Sequence, residues 1–271
     1  MELTSPKIIK ELLSKYETRP SKGLGQNFLI DKNVLRKIIE ASNIKNDETI
    51  LEVGPGLGVL TKELALKAGE VVAVEKDETM IKVLEETLKD FKNIKVINDD
   101  ILKIEPETFL PKKYKVVANI PYYLTSPLIR KFLEYKYQPE EIILMLQKEV
   151  AQRICSKVGD MNLLAVSVQF YADAKIVSYV SKNCFWPAPK IDSAIIKITP
   201  HNKNNILPDD FFKIVKAGFS QPRKQLGSNL SKVLEIKKEK INEWLLKNNI
   251  NSTQRAETLS IEDWEKLVRS L

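Results

Sequence analysis

The sequence contains very little histidine and cysteine, and this scarcity limits the chemistry available to the chain. Its 271 residues include one histidine, His201, and two cysteines, Cys155 and Cys184. A Ser-His-Asp or Cys-His nucleophile system needs a histidine beside the nucleophile, but His201 stands among proline and asparagines in a linker-like stretch. One histidine excludes a multi-histidine metal site, and the cysteines lack metal-ligand spacing, so we predict no metal.

Long apolar segments are also missing from the sequence. No stretch predicts a membrane span, which needs about 20 mostly apolar residues. The first residues lack a signal-peptide pattern, and the few cysteines are typical of a reducing compartment. We therefore expect a cytoplasmic protein that does not interact with a membrane.

The remaining composition is that of a globular protein with a basic surface. Hydrophobic residues make up 43% of the chain and charged residues 29%, with a formal net charge of +7. This length predicts one large domain and one small domain. The positive charge favours a polyanionic partner such as a nucleic acid.

A glycine loop follows a strongly apolar segment. Thr49–Val53 predicts a buried strand, Gly54–Gly58 reads Gly-Pro-Gly-Leu-Gly, and a helical pattern covers residues 61–67. This order is typical of a nucleotide-binding α/β unit. Because Val59 stands where the dinucleotide fingerprint needs glycine, and no Gly-Lys-Ser/Thr follows, NAD and ATP phosphate binding are disfavoured.

Acidic residues follow the next two predicted strands. Val71–Glu75 ends in a carboxylate that is placed to bind both ribose hydroxyls, and residues 94–98 lead directly to Asp99 and Asp100. Each acid alone could be a solvated charge at a strand end. Because parallel strands place their carboxyl ends at one edge of a sheet, where open α/β folds bind ligands, we expect Glu75 and Asp100 to face the same crevice.

The fourth strand, residues 115–120, brings Asn119-Ile-Pro-Tyr122 to the same edge. The asparagine amide supplies an acceptor and two donors, Pro121 fixes the backbone, and Tyr122 supplies a ring for stacking. In isolation this is a polar turn. Together with Glu75 and Asp100 it predicts a ribose-bearing cofactor without a phosphate cradle, beside a planar amine. S-adenosylmethionine and adenine N6 fit this description, with positioning and electrostatics providing most of the catalysis.

Two further loops are candidates for the same site. Gln26 and Asn27 lie in a glycine-containing loop that is either a helix entry with Asp31 as N-cap or a lid over a ligand. Phe185 lies between two strands predicted at 174–181 and 191–198, which suggest a terminal antiparallel hairpin, and is a second candidate stacking residue. We expect the neighbouring Trp186, and likewise Tyr123, to belong to the core.

The composition changes after residue 200. Residues 201–208 are rich in asparagine, lysine and proline and predict a linker, whereas residues 209–271 show only helical patterns. We predict a methyltransferase domain over residues 1–200 with an N-terminal extension at 1–25, followed by a small helical domain. The basic run at Gln221–Gln225 is either solvated surface or a phosphate-contacting face.

These motifs in this order closely resemble the ribosomal RNA adenine N6-dimethyltransferases. The resemblance spans Gln26–Leu29, Glu52–Gly58, Val74-Glu75, Asp99-Asp100, Asn119–Tyr122 and Phe185–Ser193. It implies a Rossmann-like, class I S-adenosylmethionine-dependent sheet with a helical C-terminal domain. It also implies cofactor contacts from Asn27, Leu29, Gly54, Glu75, Asp100 and Asn119. Catalytic roles fall to Asn119, Pro121, Tyr122 and Phe185, with Tyr122 and Phe185 enclosing the adenine.

Within the family, the stretches Gln147–Arg153 and Gln254–Leu259 resemble the KsgA/RsmA type. That type dimethylates two adjacent adenosines in a hairpin near the 3′ end of 16S small-subunit rRNA, which implies a pre-30S particle as partner. We expect a monomer whose RNA contacts include Lys22, Arg223 and Lys224. The alternatives are a 23S rRNA methylase of the macrolide-resistance type and a non-catalytic assembly factor.

The sequence departs from the family pattern at two places in the second half of the chain. Met161-Asn162 stands where Tyr-Gly is usual, and Pro222 replaces the first of two arginines before Lys224. We expect these changes to affect loop shape and RNA docking more than the cofactor site.

Overall fold

The computed structural model describes residues 1–21, 23–201 and 206–271, and within these ranges it contains nine strands and eleven α-helices. The strands are β1 (Phe28–Leu29), β2 (Thr49–Val53), β3 (Glu70–Glu75), β4 (Ile94–Asn98), β5 (Lys115–Asn119), β6 (Glu141–Gln147), β7 (Ala172–Val180), β8 (Phe185–Trp186) and β9 (Ser193–Pro200). The helices are α1 (Pro6–Lys15), α2 (Lys32–Ser42), α3 (Val59–Ala65), α4 (Glu78–Thr87), α5 (Thr125–Glu134), α6 (Lys148–Ile154), α7 (Leu163–Gln169), α8 (Pro208–Gly218), α9 (Leu226–Leu234), α10 (Lys238–Lys247) and α11 (Ile261–Arg269). None of the helices in these ranges has the length and apolar character needed to cross a membrane.

A seven-stranded sheet with the order β4-β3-β2-β5-β6-β9-β7 is built from strands between residues 49 and 200. β4, β3, β2, β5 and β6 are mutually parallel, and β9 runs antiparallel to β6. The central strands are buried on both faces, as in β6, where Ile142–Leu146 are at most 1% exposed. The predicted α/β class is confirmed. β7 and β9 are neighbours at one end of the sheet, and the connection between them carries β8.

The parallel register places the predicted site residues at one edge of this sheet. Glu75 is opposite Asn98 at the ends of β3 and β4, and Asn119 ends β5. Asp100 follows β4 by two residues. Because parallel strands all point the same way, their last residues meet at one edge, where a crevice forms.

A second, two-stranded sheet joins the N-terminal loop to the segment between β7 and β9. β1 pairs antiparallel with β8, so that Phe28 is opposite Trp186 and Leu29 is opposite Phe185. Trp186 packs against an apolar cluster that includes Ile9 of α1, in agreement with its predicted core role.

The core assignment of Tyr123 is wrong, because its side chain is 57% exposed. Tyr123 is the middle residue of a 3-10 helix, Tyr122–Leu124. Successive residues of such a helix project about 120° apart. Since Leu124 occupies the buried direction, Tyr123 is directed to solvent.

The chain divides into two compact units, which are not the two predicted segments. The first unit contains residues 1–151 and 175–200, and the second contains residues 152–174 and 201–271. Residues 152–174 belong to the second unit because their apolar side chains enter its core. Phe170, for example, stacks on Phe211 of α8 with ring centroids 4.0 Å apart.

The two family departures at 161 and 162 have local structural explanations within this second unit. Met161 is 4% exposed and belongs to the helical core. Asn162 is the N-cap of α7, where its side chain accepts a hydrogen bond from the Ala165 N–H at 3.1 Å. Asparagine is among the preferred N-cap residues, so this substitution favours the start of α7.

Gly218→Ala is expected to destabilise the helical unit by about 1–3 kcal/mol, the usual cost of overpacking a core. A Cβ at position 218 would collide with Cη2 of Trp264, which is fully buried. Urea unfolding monitored by tryptophan fluorescence measures the effect. Gly23→Ala is the matched control because its added Cβ meets only Ser21 Oγ, at 3.8 Å. Equal midpoints for both variants would contradict the tight packing around Trp264.

Candidate active site

A cavity of about 220 Å³ lies at the carboxyl edge of the parallel strands. Its wall combines the glycine loop, the ends of β3 and β5, the loop after β4, the segment before β1, and β8. All nine predicted catalytic and cofactor residues line it: Asn27, Leu29, Gly54, Glu75, Asp100, Asn119, Pro121, Tyr122 and Phe185. The fold therefore brings together residues that are up to 158 positions apart in the sequence, from 27 to 185.

The glycine loop lines the cavity with main-chain atoms. Gly54, Gly56 and Gly58 have φ angles of +67°, +57° and +84°, the left-handed region that favours glycine. This explains why glycines alternate here instead of following the dinucleotide spacing. Gly54 donates its N–H to the Val74 carbonyl at 2.9 Å, and α3 begins directly after Gly58.

Glu75 is held in place by two main-chain donors. Its Oε2 accepts from the Gly56 N–H at 3.0 Å and its Oε1 from the Asp77 N–H at 2.9 Å. Burial raises the pKa of Glu75, although these N–H groups act in the opposite direction. Because each carboxylate oxygen has a second acceptor position, Glu75 retains the capacity to bind two hydroxyl groups.

Asp100 carries an ion pair at the edge of the same cavity. Its Oδ2 lies 3.0 Å from Lys76 Nζ, and its Oδ1 accepts from the Leu102 N–H at 3.0 Å. Burial raises the pKa of Asp100, but the hydrogen bonds from Lys76 and Leu102 outweigh this effect and the net shift is downward. Asp100 is therefore an ionised acceptor at neutral pH.

The Asn119 amide is oriented by the N-terminal loop. Its Nδ2 donates to the main-chain oxygen of Asn27 at 3.4 Å, while the Asn27 side chain donates to the Gly25 carbonyl at 3.0 Å. With Nδ2 engaged in this way, Oδ1 of Asn119 is left as a hydrogen-bond acceptor. Pro121 packs closely against this loop, since a Cβ on Gly25 would lie 3.1 Å from Pro121 Cβ.

Two aromatic side chains line the cavity from different segments. The Tyr122 hydroxyl is 3.0 Å from Oγ of the fully buried Ser193, which anchors the ring. Burial raises the pKa of Tyr122, so the hydroxyl stays protonated at neutral pH. Phe185, 4% exposed, is fixed by its pairing with Leu29.

The N-terminal loop contains the predicted helix entry and also lines the cavity. Asp31 caps α2, with Oδ1 accepting from the Asn33 and Val34 N–H groups at 2.8 and 3.1 Å, as predicted for a helix entry. The preceding residues 24–29 line the cavity. Gln26 connects the loop to the β3 end through a 2.8 Å hydrogen bond to Asp77.

The model of one protein family, described as ribosomal RNA adenine dimethylase, matches residues 3–271 of the chain. The chain belongs to this family. It is therefore an S-adenosylmethionine-dependent adenine dimethyltransferase, in agreement with the prediction from its motifs. Curated relatives that share 40–47% identity carry the name ribosomal RNA small subunit methyltransferase A.

One such relative of this adenine dimethylase, from Dehalococcoides mccartyi (strain BAV1), is 47% identical over 95% of this chain and 90% of its own length. Among solved structures, the 23S rRNA methyltransferase ErmE is 27% identical with a TM-score of 0.75, covering 90% of this chain and 99% of its own. A dimethyladenosine transferase from Plasmodium falciparum is 29% identical with a TM-score of 0.74, covering 89% of this chain and 95% of its own.

The dimethylase cavity contains one functional candidate that we did not assign from the sequence. Glu52, on β2, lines the cavity, is 2% exposed, and its Oε2 has no hydrogen-bond partner among the described residues. Burial raises the pKa of Glu52 to about 8, the Thr61 hydroxyl acts in the opposite direction, and the charge of Glu75 adds a smaller upward contribution. A buried carboxyl with an unpaired oxygen suits a cationic ligand group. Its position before the three alternating glycines was the available sequence signal.

S-adenosylmethionine fits this set of donors and acceptors. It carries ribose hydroxyls, from which the Glu75 carboxylate can accept hydrogen bonds. It also carries positive charge, which Glu52 can neutralise when it ionises. The open glycine loop allows close approach of the ligand to main-chain atoms. Within the described ranges, no group of three or more His, Cys, Asp or Glu side chains is arranged to hold a metal ion.

The predicted RNA contacts of this dimethylase lie elsewhere in the chain. Arg223 and Lys224 are exposed in the helical unit, in the turn between α8 and α9. Lys22 lies outside the described residues.

Proposed function

We propose that this enzyme transfers methyl groups to N6 of two adjacent adenosines in a hairpin near the 3′ end of 16S small-subunit rRNA. The observation that carries the proposal is the convergence of Glu75, Asn119, Tyr122 and Phe185 on one cavity. The 40–47% identity with small-subunit methyltransferases supports the choice of RNA. The enzyme acts as a monomer on a pre-30S particle in the cytoplasm, as part of small-subunit assembly.

Asn119 orients the amine of the target adenine. The lone pair of an exocyclic amine is delocalised into the ring, which makes the nitrogen a poor nucleophile. When Oδ1 of Asn119 accepts an N–H of this amine, a pyramidal nitrogen with a localised lone pair is favoured. The hydrogen bond from Nδ2 to Asn27 holds the amide in the required orientation before the base arrives.

Tyr122 and Phe185 hold the adenine ring in the cavity. Both rings line its wall and both are anchored, Tyr122 through Ser193 and Phe185 through Leu29. A base must leave its helical stack to reach such a pocket, and aromatic rings offset part of this cost. Pro121 maintains the turn that connects Asn119 to Tyr122.

Asn27, Leu29, Gly54, Glu75, Asp100 and Asn119 would hold S-adenosylmethionine, which supplies the methyl group when bound. Glu75 would accept hydrogen bonds from the ribose hydroxyls. Asp100, ionised beside Lys76, would accept hydrogen bonds from donor groups of the adenosine. No strong base is required, because the amine proton is acidic once the nitrogen has become cationic and it then leaves to water.

The main alternative is a 23S rRNA methylase. It is less well supported because ErmE is 27% identical to this chain, whereas the small-subunit relatives are 40–47% identical. A non-catalytic assembly factor would not need to retain Asn119, Pro121, Tyr122 and Glu75 together in one cavity.

Mass mapping of methylated RNA tests the proposed substrate. Purified enzyme with S-adenosylmethionine is incubated separately with unmethylated immature small subunits and with large-subunit rRNA. We expect dimethylation of two adjacent adenosines near the 3′ end of the small-subunit rRNA and no modification of the other substrate. Modification of 23S rRNA alone would support the alternative methylase, and binding without methylation would support the assembly factor.

Arg223→Ala is expected to weaken RNA binding several-fold and to reduce the slope of log K against log salt by about 0.9, the contribution of one phosphate contact. The slope is measured by titrating small subunits at several salt concentrations. Arg269→Ala removes the same charge from a residue that is paired with Glu265 at 3.1 Å and is the matched control. An equal slope for Arg223→Ala and the wild type would show that Arg223 does not contact an RNA phosphate.

A further inference from the structure

Tyr123 presents an exposed aromatic ring at the wall of the active-site cavity. It is 57% exposed and lines the cavity beside Tyr122. Among the described residues only one other aromatic side chain is exposed, Tyr179 on β7, and it does not line this cavity. An exposed aromatic ring beside a base-binding cavity is a candidate stacking surface for a second base.

The local backbone explains why the two neighbouring tyrosines point in different directions. In the 3-10 helix Tyr122–Leu124, Leu124 is 8% exposed and the Tyr122 hydroxyl contacts Ser193. Tyr123 takes the remaining direction, toward solvent. Its Cδ1 lies 4.0 Å from the position of a Cβ on Gly25, so the ring borders the N-terminal loop at the cavity rim.

The Tyr123 ring is not engaged by another side chain in the described part of the protein. It forms no aromatic pair and no cation–π contact there, in contrast to Tyr179, which lies 5.1 Å below Lys148 Nζ. A positive charge lies on the same rim. Lys76, which is paired with Asp100 at 3.0 Å, lines the cavity together with Tyr123. The rim therefore combines a stacking surface with a cation.

We propose that Tyr123 stacks on the nucleotide next to the target adenosine while the target occupies the cavity. This inference rests on the proposed function. When the target base leaves its stack, its neighbour loses a stacking partner. The exposed face of Tyr123 replaces that partner at the cavity mouth, and Lys76 lies within reach of the connecting phosphate. Where the substrate is two adjacent adenosines, the nucleotide on Tyr123 is the other adenosine for one of the two methylation sites.

Steady-state kinetics on unmethylated small subunits test this role. With S-adenosylmethionine saturating, Tyr123→Ala is expected to raise KM for the subunit by about tenfold, the loss of one base–aromatic stack, while kcat changes by less than about threefold. Tyr123→Phe restores the wild-type KM because it retains the ring. Tyr123→Leu, apolar but not aromatic, stays close to the alanine variant. Calorimetry is expected to give the same Kd for S-adenosylmethionine in all four proteins.

Tyr179→Ala is the matched control, since it removes an equally exposed tyrosine from the same unit away from the cavity. An unchanged KM for Tyr123→Ala would overturn the proposal, and so would a recovery with leucine equal to that with phenylalanine. Weaker S-adenosylmethionine binding with an unchanged KM would show instead that the ring covers the cofactor. An inactive wild-type enzyme would refute the proposed function and this inference together, whereas an active wild type with an unaffected Tyr123→Ala refutes only the inference.

Discussion

Replacing Asn119 with alanine is expected to lower the rate of methyl transfer to small-subunit rRNA by at least about a hundredfold, the usual effect of removing one preorganised polar group from an active site. The variant loses the Oδ1 acceptor for the target amine and the Nδ2 donor that bonds to Asn27. Single-turnover rates at saturating S-adenosylmethionine measure the effect. We expect cofactor affinity to fall by less than about tenfold, because one hydrogen bond contributes about 1 kcal/mol.

One further variant separates the two functions of the Asn119 amide, and a second serves as a control. Asn119→Asp keeps an acceptor but cannot donate to the Asn27 carbonyl, so any retained activity reports the acceptor alone. Asn33→Ala removes an exposed asparagine on α2, outside the cavity, and is expected to leave the rate unchanged. Near-normal turnover by Asn119→Ala would show that amine orientation does not depend on this residue.

The second large effect is expected on the pH dependence of S-adenosylmethionine binding, which we attribute to Glu52. Because burial raises its pKa to about 8, Glu52 is mostly protonated in the free enzyme at pH 7. If a cationic group of S-adenosylmethionine lies beside Glu52, it would favour the carboxylate, and binding would then release a proton. Affinity should therefore increase with pH up to about pH 8, by at most about tenfold per unit, and level off above it.

Calorimetry in two buffers of different ionisation enthalpy counts the released protons. We expect the wild type to release up to one proton on binding S-adenosylmethionine. Glu52→Gln cannot ionise, so we expect it to release no proton and to bind the cofactor more weakly. Glu63→Gln, an exposed change on neighbouring α3, is the control and should match the wild type. Identical proton release by Glu52→Gln and the wild type would exclude Glu52 as the titrating group.

The same group makes the stability of the free enzyme depend on pH. Between the ordinary pKa of 4.5 and the folded value of about 8, the folded state binds more protons than the unfolded state at Glu52. The unfolding free energy therefore falls with rising pH by about 1.4 kcal/mol per unit in this window, and Glu52→Gln removes that component. Denaturant titrations of both proteins at pH 5 and pH 8, without cofactor, measure the difference.

Much of the fold and most of the candidate site could be predicted from short sequence patterns. The strand–loop–helix unit around Gly54–Gly58 was recognisable because strand periodicity and turn preferences are local properties. Glu75, Asp100 and Asn119 were assigned to one crevice because parallel strands necessarily end at the same edge. The comparisons confirm the family, while the individual roles of these residues remain predictions for the experiments above.

Other features could not be read from the sequence. The sequence pattern of residues 152–174 does not assign them to either unit, and the packing of Phe170 against Phe211 places them in the second. Tyr123 has the apolar character of a core residue, but the 3-10 turn at Tyr122–Leu124 directs it outward. In both cases the burial of the side chain depends on which residues, distant in the sequence, pack beside it.

The sequence by itself determined the α/β class, the family, and nine of the residues that line the cavity, because these depend on periodicity, turn chemistry and motif order. Only the tertiary structure showed that Glu52 also lines the cavity, and only it decided how the pKa values of the acidic side chains there are shifted. Burial in the sheet raises the pKa of Glu52 to about 8, with a further contribution from Glu75, whereas Lys76 at 3.0 Å helps to lower the pKa of Asp100. Burial and charge proximity arise from contacts between distant segments, and these control whether a carboxyl group is charged.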